Sequence, residues 1–172
     1  VTPTSRGTSS TLDWCVVVPG WGRDEGVLKG VADIMNAAEV RSTCTIVDAD
    51  GLFLVAQDPD LVNGRSDCVL TPNRRELERL AARLNVAADA DDVAAQVARK
   101  LGNVVVVAKG KRDIITDGTD VLVVDEPGAP KRCGGLGDVL CGALAPLAAQ
   151  AARADAADAA VAGKRALLWA CS

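Results

Sequence analysis

Short apolar runs rich in valine recur along the chain, and segments of helix-forming composition lie between them. Continuous apolar strands that alternate with helices are typical of a parallel sheet with both faces covered. The pattern therefore predicts an α/β fold with a mostly parallel central sheet. The predicted strands are Trp14–Val18, Thr43–Val47, Asp67–Leu70, Asn103–Ala108, Ile114–Thr116 and Val121–Val124. The predicted helices are Glu25–Ala38, Arg74–Leu84, Asp91–Leu101, Asp138–Gln150 and Ala154–Trp169.

Local signals mark a helix start and a strand reversal. Asn73 followed by Glu76 predicts a capping box, in which each residue satisfies a backbone N–H of the other. Asp117-Gly118 lies between two short β runs and predicts a tight hairpin turn. The hairpin predicts antiparallel strands at one edge of the sheet.

No internal repeat, flexible linker or domain boundary interrupts this pattern, so a single domain over residues 1–172 is expected. A short polar segment leads directly into the apolar strand Trp14–Val18, which has the composition of a central strand. A central strand needs neighbours on both sides, so we expect the domain to be incomplete at its N-terminus. The chain also stops in or just after an apolar helix, so truncation at both ends is expected.

Composition excludes several kinds of chemistry. The chain has no histidine, which excludes imidazole catalysis and histidine-ligated zinc, so acid–base work falls to Asp, Glu or Lys. A net charge of −4, one Phe, three Trp and no Tyr argue against a nucleic-acid partner. No apolar run is long enough to cross a bilayer, so a membrane partner is not expected.

The six cysteines are scattered without a C-x-x-C pair, and most lie in apolar runs. Free, buried thiols explain this distribution best and are typical of a reducing compartment. A soluble, cytoplasmic protein is therefore expected. A mitochondrial or plastid pool stays open, although the chain shows no targeting segment.

The segment from Gly128 to Asp138 carries the strongest functional signal, because it follows a strand-rich region and opens a helix. Its glycines let backbone N–H groups approach an anion closely, and the helix N-terminus adds its positive dipole end. The adjacent Lys131-Arg132 pair supplies countercharge. Asp138 could accept a proton from a substrate hydroxyl or could cap the helix, and the two roles are compatible.

Two loops follow earlier predicted strands. Pro19-Gly20-Trp21-Gly22-Arg23-Asp24 lies where open α/β sheets place ligand loops, although it could equally be an ordinary turn. Asp48-Ala49-Asp50-Gly51 offers paired carboxylates that could hold Mg²⁺ through water or position a basic group. Alternatively, Asp50 only caps a helix that begins at Leu52.

Two later segments have the same strand-to-loop placement. Leu70–Leu80 runs from strand through turn into helix, and its polar residues could belong to a site or only to a helix cap. Lys109-Gly110-Lys111-Arg112-Asp113 could present an ammonium and backbone N–H groups to a nucleotide phosphate, or form a solvated turn. The carboxyl ends of parallel strands share one sheet edge, so the loops there are expected to converge.

Over nearly its whole length the chain resembles the NAD(P)H-hydrate dehydratases of the ribokinase-like superfamily. The motifs that carry the resemblance are, in order, V-V-V-P-G-W-G-R-D, I-V-D-A-D-G-L, V-L-T-P-N-R-R-E-L-E-R-L, K-G-K-R-D-I-I-T-D-G and G-A-P-K-R-C-G-G-L-G-D-V-L-C-G. The K-R-C-G-G-x-G-D form is more similar to the ATP-dependent eukaryotic branch than to the ADP-dependent bacterial enzymes. Members of the family also have strands and helices before the first motif, which are missing here.

The resemblance implies a ribokinase-like three-layer α/β/α sandwich. It also implies an ATP-dependent hydro-lyase that regenerates NADH or NADPH from its (6S) hydrate, with Asp138 as general base and Mg²⁺ beside the phosphates. The residues implied for the hydrate are Gly22, Asn73, Arg74, Arg75, Glu76, Leu77, Glu78, Arg79 and Asp138. The residues implied for ATP are Lys109, Gly110, Lys111, Arg112, Asp113, Gly128, Ala129, Pro130, Lys131, Arg132, Cys133, Gly134, Gly135, Leu136 and Gly137.

Two other functions stay open at this point. A small-molecule kinase of the same superfamily would share the glycine-rich loop and Asp138 but would leave phosphate on an alcohol. A non-catalytic nucleotide-binding remnant would keep the glycines and lose substrate contacts. The partners expected are the hydrate and ATP, and a homo-oligomer is possible.

Overall fold

The strands form a six-stranded sheet in the order β1-β2-β3-β4-β5-β6. The computed structural model describes residues 14–17, 22–40, 43–88, 90–128 and 133–154. Strands β1 to β4 are parallel, whereas β4, β5 and β6 are antiparallel, so the predicted mostly parallel sheet with a late antiparallel edge is confirmed. The strands are β1 (Trp14–Val17), β2 (Cys44–Val47), β3 (Cys68–Leu70), β4 (Val105–Ala108), β5 (Asp113–Thr116) and β6 (Val121–Val124).

Helices cover both faces of the sheet, which makes three layers. Consecutive parallel strands with right-handed crossovers bring their connecting helices to one face, where α1 to α4 pack. Helix α5 packs on the opposite face, against β1 and β2. The helices are α1 (Glu25–Val40), α2 (Ala49–Gln57), α3 (Arg74–Arg83), α4 (Val93–Lys100) and α5 (Leu136–Ala154).

Residues along the central strands alternate between two hydrophobic cores. Val47 and Val106 pack against α1 to α4, whereas Ile46 and Val105 pack beneath α5. Both sets are buried, which explains why β2 and β4 are mostly apolar. None of the helices in the described ranges is long and apolar enough to cross a bilayer.

Two helix starts differ from the sequence-based expectation. The N-cap of α2 is Asp48, whose side chain accepts a hydrogen bond from Ala49 N at 2.9 Å, so the prediction that Asp50 caps a helix from Leu52 is wrong. Helix α5 begins at Leu136 rather than at Asp138, because Gly135 (φ +82°) provides the turn and its carbonyl accepts the Val139 N–H. Asp138 is therefore the third residue of α5 and not its cap. Beyond Ala154, the predicted Ala154–Trp169 helix lies outside the described residues.

Hydrogen bonds between loops bring the ends of β2, β3 and β4 together at one edge. Thr71 N donates to Val47 O at 3.0 Å, and Lys109 N donates to Pro72 O at 2.8 Å. Asn73 and Lys109 also form an isolated parallel bridge beyond the strands. The segments after β3 and β4 thus run side by side next to the end of β2, which fixes the side chains that they carry.

The turn between β5 and β6 has the predicted chemistry. Asp117 accepts hydrogen bonds from Thr119 N at 2.8 Å and Asp120 N at 2.9 Å. Gly118 has a φ of +90°, and a Cβ there would lie 2.6 Å from the Cγ of Arg99. Backbone conformation and close packing therefore both favour glycine at this position.

Candidate active site

A cavity of about 1080 Å³ opens at the carboxyl edge of β2, β3 and β4, and the first turn of α5 forms one of its walls. This is the edge at which parallel α/β sheets bind ligands, and the volume suits a nucleotide or a comparable molecule. The described residues that line it are Asp48, Ala49, Asn73, Arg74, Arg75, Glu76, Lys109, Gly110, Lys111, Asp113, Cys133, Leu136, Gly137 and Leu140.

A lysine–carboxylate pair lies at the base of the cavity. Lys109 Nζ donates to Asp48 Oδ1 at 2.8 Å, and the side chains are 23% and 4% exposed, respectively. Asp48 follows β2 and Lys109 follows β4, so the contact joins loops that are separated by 61 residues in sequence. Of the alternatives predicted for the two carboxylates of this segment, contact with a basic group is thus observed for Asp48. Asp50, in contrast, pairs with Arg23 at 3.4 Å.

Beneath the pair, a buried thiol connects Asp48 to the loop after β3. Cys141 Sγ lies 3.7 Å from Asp48 Oδ2 and 3.8 Å from Thr71 Oγ1. Burial, reinforced by the nearby Asp48 charge, raises the pKa of the Cys141 thiol to about 11. Cys141 is therefore a neutral hydrogen-bond donor at neutral pH. Of the two side chains that contact Asp48, only Lys109 carries a charge that balances the carboxylate.

Gly137 allows α5 to approach this pair. A Cβ on Gly137 would lie 2.8 Å from Asp48 Oδ2 and 3.9 Å from Lys109 Nζ. Carbon–oxygen separations below 3.0 Å are repulsive, so any side chain here would displace either the carboxylate or the helix. The glycine thus brings the positive end of the α5 dipole to within a few ångströms of the lysine ammonium.

The start of α3 supplies the opposite wall. Asn73 Oδ1 accepts from Glu76 N at 3.1 Å and Glu76 Oε2 accepts from Asn73 N at 2.7 Å, which confirms the predicted capping box. Both residues also line the cavity together with Arg74 and Arg75. Asn73 and Glu76 can both cap α3 and line the cavity, because the N-terminal end of α3 lies at the cavity wall.

The loop after β4 is a close turn that carries several cations. Gly110 N donates to Asp113 Oδ1 at 2.8 Å, and a Cβ at Gly110 would lie 2.7 Å from the Arg112 carbonyl oxygen. Lys111 is exposed at the rim, whereas Arg112 lines a neighbouring cavity of about 580 Å³. The turn chemistry predicted for this segment and the placement of its lysines at the cavity are thus both present.

An arginine pair surrounds the single phenylalanine of the chain. The guanidinium of Arg23 lies 4.3 Å from the centre of the Phe53 ring, and that of Arg79 lies 5.8 Å from it. These distances are within the range of cation–π attraction. The Arg23 contact holds the segment after Gly22 (φ +82°) against α2, and the Arg79 contact links α3 to the same ring.

The sequence-predicted site residues divide into three groups. The structure brings together at the cavity Asn73, Arg74, Arg75, Glu76, Lys109, Gly110, Lys111, Asp113, Cys133, Leu136 and Gly137. Described residues outside its lining are Gly22, Leu77, Glu78, Arg79, Arg112, Gly128, Gly134, Gly135 and Asp138. Outside the described residues lie Ala129, Pro130, Lys131 and Arg132.

Two of the residues outside the lining have contrasting surroundings. Leu77 is buried in the core on the α3 side of the sheet. Asp138 is exposed in the first turn of α5, one residue beyond Gly137. Successive helical residues are rotated by about 100°, so Gly137 can face Asp48 while Asp138 is exposed beside the cavity lining.

Sequence reasoning did not identify the roles of Thr71 and Cys141 beneath the cavity, or that of Leu140 in its wall. Leu140 and Cys141 follow Gly137 by three and four positions, so helical spacing places them on the same face of α5. Thr71 precedes the proline of the L-T-P-N motif. These positional signals could have indicated all three residues.

The described residues do not fit a metal ion held by the protein. They contain no group of three or more Cys, Asp or Glu side chains placed to ligate one. Asp48 Oδ1 is already engaged by the Lys109 ammonium and the Ala49 N–H, and Asp50 pairs with Arg23. Each carboxylate of the Asp48–Asp50 segment is thus paired with a cation in this structure.

Comparison with solved structures defines the fold class as ribokinase-like. A ribokinase-like superfamily protein from Enterococcus faecalis superposes with a TM-score of 0.69 at 20% identity, over 91% of this chain and 52% of that protein. Hydroxyethylthiazole kinase from Pyrococcus horikoshii gives a TM-score of 0.60 at 17% identity, over 88% of this chain and 68% of that chain. The ribokinase-like fold expected from the resemblance is thus confirmed.

Sequence comparison then specifies the family. The model of the family described as NAD(P)H-hydrate dehydratase matches residues 3–170, and the chain belongs to this family. It is 47% identical over 136 residues to the ATP-dependent (S)-NAD(P)H-hydrate dehydratases of Pongo abelii and Homo sapiens. The match covers 77% of this chain, but only 41% and 39% of those proteins.

Proposed function

We propose that this chain carries the catalytic and nucleotide-binding part of an ATP-dependent NAD(P)H-hydrate dehydratase, a hydro-lyase that repairs hydrated NADH or NADPH. The observation that carries the proposal is the joint lining of one cavity by Lys109, the first turn of α5 and the start of α3. Lys109 and the first turn of α5 suit a phosphate group, and the start of α3 lies across the cavity from them. Family membership supports the reaction.

In the proposed reaction, Asp138 takes the proton of the hydroxyl group on the hydrated nicotinamide ring. The resulting oxygen attacks the γ-phosphorus of ATP, which forms an O–P bond and releases ADP. Phosphate then leaves with the C–O electron pair, driven by the ring nitrogen, and loss of a ring proton restores the dihydronicotinamide. The position of Asp138 next to Gly137, which lines the cavity, and its exposure support this assignment, because an exposed carboxylate is accessible to a substrate hydroxyl.

The groups proposed for ATP act through charge and backbone donors. The first N–H groups of a helix have no partner within the helix, so those of α5 are available to the γ-phosphate. Lys109 would add an ammonium within the same cavity, and Lys111 would contact phosphate from the rim. For Arg132 and the rest of the 129–132 segment, ATP contact stays a prediction.

Mg²⁺ also stays a prediction. Since the described residues offer no ligand cluster, it would be held by the phosphates of ATP, whose charge it offsets. A cytoplasmic location is likewise proposed. Cys44, Cys68 and Cys141 are buried, as expected of reduced thiols.

The proposal is tested by incubating the chain with ATP and (6S)-hydrated NADH. We expect dihydronicotinamide absorbance to reappear with equal amounts of ADP and inorganic phosphate, and only when ATP is present. Phosphate retained on a substrate alcohol would indicate the kinase alternative instead. Nucleotide binding without turnover would favour the non-catalytic remnant.

A second prediction concerns Cys133, which is exposed and lines the cavity. In peptide mapping after mild alkylation, Cys133 should react faster than the buried Cys44, Cys68 and Cys141. Saturating ATP should slow its alkylation by about tenfold, since a bound nucleotide excludes the reagent from the cavity. The other thiols report any general tightening of the fold. An ATP effect of equal size at all four thiols would contradict binding in this cavity.

A further inference from the structure

We propose that Asp48 is a positioning residue for the nucleotide site, which holds the ammonium of Lys109 against the first turn of α5. The proposal rests on the proposed function in one respect, namely that a nucleotide phosphate is the partner of Lys109. Neither the sequence motifs nor the resemblance assigned a ligand-contacting or positioning role to Asp48 specifically.

Asp48 is itself held in place on several sides. Oδ1 accepts from Ala49 N at 2.9 Å in addition to Lys109 Nζ at 2.8 Å. Oδ2 contacts Cys141 Sγ and faces Gly137 across a gap that a Cβ would fill. The carboxylate therefore links the N-terminus of α2, the loop after β4 and α5, and it has little freedom to move.

Such a fixed anchor changes what Lys109 can do. A lysine side chain is long and flexible, and ordering it on a ligand costs rotamer entropy. When Asp48 already orders the chain, that cost does not fall on phosphate binding. An ammonium has three donors, so the hydrogen bond to Asp48 leaves two for phosphate oxygens.

Charge balance supports the same role. A buried carboxylate beside a phosphate would repel it, whereas the Lys109–Asp48 pair presents a donor with little net charge. The remaining charged groups that line the cavity are Arg74, Arg75, Glu76, Lys111 and Asp113. The Arg23–Asp50 pair provides a matched comparison, because Asp50 also lies at the start of α2 but its pair does not line the cavity.

The first measurement follows the ammonium directly. In the intact chain, acetylation of Lys109 by acetic anhydride, measured by peptide mass spectrometry, should be at least tenfold slower than that of exposed Lys111. Asp48→Asn should bring Lys109 close to the rate of Lys111, whereas Asp50→Asn should not. Gly137→Ala, which crowds Oδ2, should also release Lys109, and it serves as the second variant if Asp48→Asn does not fold. An unchanged Lys109 rate in a folded variant would overturn the proposal.

The second measurement is ATP affinity by calorimetry. Asp48→Asn should weaken ATP binding about tenfold, the effect expected of one charge-assisted hydrogen bond. In Lys109→Met, adding Asp48→Asn should cause little further loss, because Asp48 acts through Lys109. If the two substitutions instead weaken ATP binding by factors that multiply in the double variant, Asp48 has a role independent of Lys109 and the proposal is overturned.

The two measurements separate this inference from the proposed function. If the unaltered chain binds no ATP while Lys109 acetylation still depends on Asp48, the proposed function fails and the holding of Lys109 is supported. If acetylation depends on Asp48 but ATP affinity does not, Lys109 is held for a reason other than nucleotide binding. That result would overturn the positioning role.

Discussion

Asp138→Asn is expected to lower the rate of ATP-dependent dehydration by about 10²–10⁴-fold, the usual effect of losing a positioned general base. The amide keeps the size and exposure of the side chain but cannot take the hydroxyl proton. ATP affinity should stay within a few-fold, because Asp138 is not among the described residues that line the cavity. Steady-state kinetics with the hydrate, and calorimetry with ATP, measure the two quantities separately.

The matched control for this change is Glu126→Gln, which neutralises an exposed carboxylate just after β6. Glu126→Gln should leave both the dehydration rate and the ATP affinity unchanged. Loss of the favourable interaction between Asp138 and the α5 dipole costs only about 0.3–1 kcal/mol, so Asp138→Asn should fold normally. Near-normal turnover by this variant would reject Asp138 as the general base and leave it a dipole-complementing surface residue.

Lys109→Met is expected to lower the free energy of unfolding by about 3 kcal/mol, near the lower end of the range for breaking a buried ion pair. The change leaves the Asp48 carboxylate, which is 4% exposed, without its cation. Because the lysine side chain is 23% exposed, water can replace part of the lost interaction, which argues against the upper end. Urea unfolding monitored by circular dichroism provides the measurement.

Adding Asp48→Asn to Lys109→Met should restore most of the lost stability, since the uncompensated charge is then removed. Lys111→Met, which removes an exposed cation from the same loop, is the control and should change the urea midpoint little. The expectation fails if Lys109→Met is as stable as the unaltered chain, or if the second substitution gives no recovery.

Sequence patterns predicted the elements well because each depends on neighbouring residues. The apolar run Val105–Ala108 has the burial of a central strand, and Asn73 with Glu76 forms a cap within four consecutive residues. The errors were also local. At the start of α5, the turn at Gly135 lets the helix begin two residues before the carboxylate that was expected to start it.

The candidate site was predictable as a set of loops but not as a set of contacts. Strand-to-helix loops in a parallel sheet end at one edge, so the convergence of the 48–51, 71–76 and 109–113 segments followed from their order. Local sequence did not indicate which of the two carboxylates in Asp48-Ala49-Asp50 would contact the ammonium of Lys109. The alternatives of metal binding, base positioning and helix capping use the same residue types.

The sequence alone determined the α/β class, the family and the residue types available for chemistry, because composition, hydrophobic period and motif order are properties of the chain itself. The tertiary structure decided that Asp48 meets Lys109, that Cys141 and Thr71 support the pair, and that Gly137 brings α5 against it. These contacts join residues far apart in sequence, and their distances depend on strand register, loop pairing and the packing of α5 on the sheet. Such geometry arises only when the sheet has formed and the cores on both its faces are packed.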